Sequence, residues 1–315
     1  MATSTVSRAF SNPRRVNEQT RNRVLAVAER LDYRPNPLAR ALPSGRTNTV
    51  ALLVPDITNP FFFGLIRGAE RQANAVGYTL ILTDTEESPD GETHRIERLS
   101  PSVDGFVLAA SRLPDKRIQE IASDKVVTLV NRQVEGVPSV VADTADSTRQ
   151  IVEHLASLGH RSIAYLSGPR TSWSNHQRWG ALRSAAQKLG VSATQLGPFS
   201  PEVAGGAVAA DAAIGQEVTA VVAFNAVLAI GTLRRFAERG KRIPEDISVV
   251  GYDDIFGADF CSPPLTTVAA PLPDAGRRAI DLLLGRLDAP GAHERNDVVL
   301  PTYLRIREST GPAPH

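Results

Sequence analysis

Twice along this chain, short continuous apolar runs alternate with amphipathic stretches. That repeated alternation confines the fold to parallel α/β architecture. The first round places apolar runs at residues 50–54, 79–83, 105–109 and 126–130, with amphipathic stretches such as 61–75 and 114–122 between them. Strands covered by helices on both faces read as unbroken apolar runs, whereas one-sided strands alternate. The pattern restarts after His160 with runs at 162–166, 219–223 and 247–251. Two such halves imply two lobes with a cleft between them, and 315 residues suffice for both plus a small additional head. Open parallel sheets bind ligands at the carboxyl ends of their strands. Polar residues punctuate those ends: Asp56 and Asn59, Asn131-Arg132, Asn225, and Asp253-Asp254.

Charge separates the first 46 residues from the rest. They hold nine arginines, no lysine and three acids (Glu18, Glu29, Asp32), a balance of +6. The remainder has 26 basic and 31 acidic residues, a balance of −5. A cationic head on a mildly anionic body is the footprint of phosphate contact at one end. The single cysteine, Cys261, excludes an intramolecular disulfide and a cysteine-based zinc cluster. No apolar run reaches membrane-spanning length and no signal peptide is evident, so the expectation is a cytoplasmic protein.

Within the head, Asn17 is a good N-cap for a helix whose Val24, Val27, Ala28 and Leu31 repeat on one face. A shorter helix over 3–10 turns Val6, Ala9 and Phe10 inward, and Thr3, Ser4, Ser7 and Arg8 outward. Small hydroxyls with one arginine suit a groove reader, but taken alone the segment reads first as an ordinary polar face. After the Pro-containing segment 33–37, Leu38, Ala41 and Leu42 stand at helical spacing between Pro37 and Pro43. A helix that short needs a partner surface, so the stretch reads as a conditional hinge helix or an inert tether.

Thr5-Val6-Ser7-Arg8, Thr20-Arg21-Asn22-Arg23-Val24 and Leu31-Asp32-Tyr33-Arg34-Pro35-Asn36 together resemble the DNA-binding head of the lactose-repressor/galactose-repressor (LacI/GalR) family. The resemblance implies a helix-turn-helix whose Thr-Val-Ser-Arg helix enters the major groove, and a hinge helix whose leucine wedges into the minor groove. Thr3, Ser4 and Arg8 would then face bases, Ser7 and Asn17 would sit near phosphates, and Ala39 and wedge Leu42 would meet the minor groove. The family head begins with one more helix than this chain contains. Met1 aligns on a turn position commonly Val, and a GTG codon is Val internally but Met as a start, so translation is expected to begin about twenty codons upstream.

The resemblance continues through the body, on segments including 55–62, 103–105, 158–161, 243–254, 263–268 and 307–310. It implies the two-lobed fold of periplasmic sugar-binding proteins, with effector contacts at Asn59, Phe61, Phe62, Arg132, Arg178, Phe199, Asn225 and Asp253. Aromatic faces stack on sugar rings while Asp, Asn and Arg fork onto hydroxyls, and a small sugar or derivative is the effector expected. Asn131 and Ala226 stand where the family usually has Asp, which points to an atypical effector. Trp173 could line the pocket or merely pack. Arg178→Ala and Asp253→Ala are expected to abolish effector binding while leaving the body folded.

The domains expected are a head over 1–35, a hinge over 36–46, and a body over 47–315 with lobes at 47–145 and 146–315 and a crossover near 270. The implied function is a dimeric regulator, most simply a repressor, of a palindromic operator. A ligand-binding body without specific DNA binding is the alternative. The histidines are scattered and read as capping or surface residues, and no glycine-rich phosphate loop is present, so neither an enzyme, a cofactor nor a metal site is expected.

Overall fold

The computed structural model describes residues 2–11, 15–31, 33, 46–289 and 297–314. Beyond the head, two six-stranded sheets carry the body. The first has the order β11-β5-β4-β3-β1-β2, built from β1 (Thr49–Val54), β2 (Thr79–Asp84), β3 (Gly105–Ala109), β4 (Val126–Val130), β5 (Ser139–Ala142) and β11 (Val298–Leu300). The second runs β12-β10-β9-β8-β6-β7, from β6 (Ser162–Leu166), β7 (Ser192–Leu196), β8 (Ala220–Ala223), β9 (Ser248–Tyr252), β10 (Thr266–Ala269) and β12 (Tyr303–Arg305). Every ladder is parallel except β10 with β12. The central strands are buried throughout, as their unbroken apolar runs require.

Helices cover both sheets: α3 (Phe61–Ala75), α4 (Pro89–Leu99), α5 (Asp115–Asp124), α6 (Thr144–Ser157), α7 (Trp173–Lys188), α8 (Val203–Ile214), α9 (Ala226–Glu238) and α10 (Leu272–Asp288). The chain passes between lobes near 143, near 270 and again at 301–302. A split at 145/146 therefore assigns too little to the first lobe, because α10 and β11 also belong there. Close backbone approach makes that possible. A Cβ on Gly68 of α3 would lie 2.0 Å from the Pro273 carbonyl oxygen, and one on Gly276 of α10 would lie 2.1 Å from that of Leu65. Only glycine lets these two helices meet so closely.

In the head, α1 (Thr3–Ser11) and α2 (Glu18–Arg30) form as the periodicity requires, and Asn17 Oδ1 accepts the Gln19 N–H at 2.9 Å. Ala9, Val24 and Ala28 are buried between them. The rest of the apolar face is open: Val27 is 40 % exposed and Leu31 68 %. With Val6, Phe10 and Tyr33 they line an apolar groove of about 300 Å³. Residues 34–45, including Ala39 and Leu42, lie outside the described residues.

One histidine departs from the surface reading. His160 is fully buried, with Nδ1 2.8 Å from Thr219 Oγ1 and Nε2 3.1 Å from both Ser248 Oγ and the Gly311 carbonyl oxygen. A carbonyl only accepts, which assigns the ring hydrogen to Nε2. His154 Nε2 lies 2.9 Å from Thr310 Oγ1, so both rings hold the C-terminal segment. Burial pushes both below the ordinary histidine value of 6.5. The unfolded chain thus takes up protons near pH 6.5 that the folded protein refuses, and stability falls as pH drops below that value. The melting midpoint is expected to be lower at pH 5.5 than at 7.5, and His160→Gln should narrow the gap. An unchanged gap would show that His160 does not carry this dependence.

Candidate functional site

The order of each sheet contains one switch point. In the first it lies between β1 and β3, in the second between β6 and β8, and loops diverge there to leave a crevice. The two crevices face each other. Two adjoining cavities of about 30 and 40 Å³ lie between the lobes and share Phe61, Asn131, Ser174, Arg178 and Asp253. Small-molecule sites usually span about 300 Å³ or more, so the lobes stand closed on space for little more than water. Ser174 Oγ reaches the Asn131 carbonyl oxygen across the cleft at 3.3 Å.

The second lobe supplies the centre of the site. Arg178, on α7, donates through Nη2 to Asp253 Oδ1 at 2.8 Å and through Nη1 to the Phe224 carbonyl. Its guanidinium sits 4.3 Å from the Tyr252 ring centroid and 5.2 Å from that of Phe224. The side chains of Arg178 and Asp253 are 10 % and 12 % exposed. Burial pushes the Asp253 carboxyl up from its ordinary value, and the guanidinium only partly draws it back. The Tyr252 hydroxyl, pushed up to about 12 by burial, bonds Thr148 Oγ1 at 2.6 Å and stays protonated. Asn225 caps α9 by accepting the Leu228 N–H at 2.8 Å, and its amide nitrogen donates to the Pro201 carbonyl.

From the first lobe come Asn59, Phe61 and Phe62, at the start of α3. The two rings meet edge to face with centroids 5.0 Å apart, and Asn59 Oδ1 accepts the Phe61 N–H at 3.1 Å. Of the eight effector positions expected, Asn59, Phe61, Phe62, Arg178, Asn225 and Asp253 line the shared space. Arg132 does not. Asn131 adopts φ 53°, which keeps Asn131 in the cleft and turns Arg132 away. Arg132 Nη2 is bound to Asp115 at 2.5 Å and to the Leu113 carbonyl at 3.1 Å. Phe199 packs against the second-lobe core instead, and the aromatic on that wall is Phe224. Phe224 directly continues the apolar run of β8, which disguises it as a core residue. Trp173 lines the cleft.

Two charged residues on the first-lobe wall escaped the sequence reading, Glu87 and Arg112. Each follows the carboxyl end of a strand, β2 and β3, and strand ends beside the switch point were the signal available. Backbone strain marks the same rim. Among the described residues, non-glycine positive φ occurs at Glu86, Glu87, Ala110, Asn131 and Asp253, all just beyond strand ends, and at Asn48 before β1. Such residues concentrate where a site overrides local preference. Among the described residues, no cluster of His, Cys, Asp or Glu could hold a metal ion, and no helix is long and apolar enough to cross a membrane.

On the DNA side, Ser4 and Arg8 are exposed on α1, and Asn17 is exposed at the start of α2, where it serves as the cap. Thr3 and Ser7 lie on α1, with side chains outside the described set.

Residues 2–36 match the family described as bacterial regulatory proteins, lacI family, and residues 152–310 match the periplasmic binding protein-like domain. The chain is 33% identical to the transcriptional repressor CytR of Escherichia coli K12, across 100% of this chain and 94% of that protein. A LacI family regulator from Enterococcus faecium, solved with bound ribose, superposes with a TM-score of 0.74 at 30% identity, covering 84% of this chain and 99% of that one. The lac repressor dimer, solved on its operator with the anti-inducer ONPF, superposes at 0.85 with 25% identity, covering 98% and 95%.

Proposed function

This chain belongs to the lacI family of bacterial regulatory proteins, which are regulators of transcription rather than enzymes, and on that premise we propose that it is a sugar-responsive, dimeric DNA-binding repressor. The observation that carries the reading is the interlobe cleft, where the second lobe's Arg178 and Asp253 share one cavity with Phe61 and Phe62 of the first lobe and with Phe224. Aromatic faces beside a charge-assisted pair suit a polyhydroxylated ring. The solved relative holding ribose supports that ligand class. A closed cleft of this size must open along the Ser174–Asn131 contact to admit such a ligand. Opening and closing of the lobes is the movement an effector would bias.

Operator binding needs two heads. Phe256 and Phe260 are 81 % and 73 % exposed, and their rings pack together 5.1 Å apart. An exposed aromatic pair on the second lobe supports a covered face between two copies, and the operator-bound dimer among the solved relatives supports the same assembly. Phe256→Glu combined with Phe260→Glu should convert a dimer into a monomer in sedimentation at micromolar concentration. A parent that is already monomeric would sink the dimeric reading.

The apolar groove of the head supports a further part of the proposal. Val6, Phe10, Val27, Leu31 and Tyr33 form an apolar face that an amphipathic helix would cover. With that helix supplied, selection from random DNA should enrich a near-palindromic site whose binding weakens steeply with salt. Leu42→Ala should lower affinity for that site while leaving effector binding intact. Enrichment of no two-fold symmetric sequence would overturn the repressor reading.

A further inference from the structure

We propose that Arg112, held by Glu87, selects the effector, and that the effector carries an anionic oxygen group, a carboxylate or phosphate, on its polyhydroxylated frame. The inference rests on the cleft reading above and adds the chemical class.

Arg112 follows β3 at the first-lobe switch point and lines the interlobe cavity. Two hydrogen bonds fix it. Its backbone N–H donates to Glu92 Oε2 at 3.0 Å, Glu92 being only 2 % exposed. Its Nε donates to Glu87 Oε2 at 2.6 Å. Its side chain is 4 % exposed. Nη1 and Nη2 have no acceptor among the described residues. The fork therefore opens into the cavity rather than being sealed in the protein, and a two-oxygen anion matches it.

The surroundings agree in sign. Asn59 spends its carbonyl on the Phe61 N–H, which leaves its amide nitrogen as the open end. The first turns of α3, α7 and α9 all contribute to the same cavities through Phe61, Ser174 and Asn225, and helix N-termini favour negative charge. The two acids on the wall, Glu87 and Asp253, are each already bound to an arginine. Strain points to the same pair. Glu86 and Glu87 both adopt φ 55°, and Ala110, two residues before Arg112, adopts φ 48°. Two loops that only joined a strand to the next helix would not require three left-handed non-glycine residues between them.

Matched panels test this by calorimetry on the full chain: glucose, glucuronate and glucose 6-phosphate; ribose, ribonate and ribose 5-phosphate. At least one acid should bind about tenfold or more tightly than its neutral parent, and the carboxylate and phosphate arms identify which anion is used. Arg112→Gln should bring the acid-to-neutral ratio to about one, and Arg112→Lys should retain part of it. Glu87→Gln should widen the ratio, because it removes the counter-charge and keeps the hydrogen-bonding shape; this arm stands even if Arg112→Gln fails to fold. A neutral sugar that binds as tightly as its acids, or an Arg112→Lys loss equal for both, overturns the anionic effector and leaves the sugar cleft standing. If no member of either panel binds the folded parent, both readings fall.

Discussion

Asp253→Ala should unfold the body more easily by about 3–5 kcal/mol, because it leaves the Arg178 charge nearly buried with no counter-ion. The Phe224 carbonyl and the two rings remain, but none offsets a full charge. The sequence reading expected Asp253→Ala to spare the fold. The burial of the pair argues instead for a stability cost. Arg178→Ala should cost less, because the stranded carboxyl can take up a proton, and burial already moves it in that direction. Replacing both, as Arg178→Met with Asp253→Leu, should recover most of the stability without recovering ligand affinity. Urea denaturation at neutral pH, alongside calorimetry with whichever panel sugar binds the parent, separates the two effects. An Asp253→Ala variant within about 1 kcal/mol of the parent would show that the charges are solvated well enough to need no pairing.

What the sequence revealed of this region follows from how locally each residue is placed. Strands β1, β3, β4, β6, β8 and β9 could be read because burial on both faces writes an unbroken apolar run. β7 could not: Ser192–Leu196 is a half-exposed edge strand whose only strand neighbour is β6. β11 and β12 have three residues each and exist through pairing with β5 and β10, far away in sequence. In the cleft, Asn59 and Asn225 cap the turns they sit in, so local pattern and site position coincide. Arg132 was lost to a single backbone angle at Asn131, which composition and spacing do not reveal. Arg112 was missed because its importance comes from Glu87 and Glu92, 25 and 20 residues earlier.

The head should behave as the least stable part of the protein, with backbone amides of α1 and α2 exchanging at least about a thousandfold faster than those of β3 or β8. Helices of 9 and 13 residues are marginal alone, and here they bury little beyond Ala9, Val24 and Ala28. Fusing an amphipathic helix that fills the 300 Å³ groove should slow that exchange and raise operator affinity by about a thousandfold, the usual gap between specific and non-specific binding. Hydrogen exchange with mass detection measures the first, and titration of the selected DNA site measures the second. Core-like protection of α1 and α2 in the 315-residue chain would mean that the groove needs no cover.

The three passages between lobes carry a consequence for synthesis on the ribosome. The first sheet is nearly complete once β5 has been made, yet the helix that covers α3 and the strand that flanks β5 are encoded at 272–300. Until then Leu65, Ala69 and the face of β4 that α10 covers stay exposed to water and to chaperones. The first lobe to leave the exit tunnel is therefore among the last parts of the molecule to close. A nascent chain arrested at 270 should hold an almost complete second lobe beside an open first one, and a premature stop there forfeits the domain that was translated first.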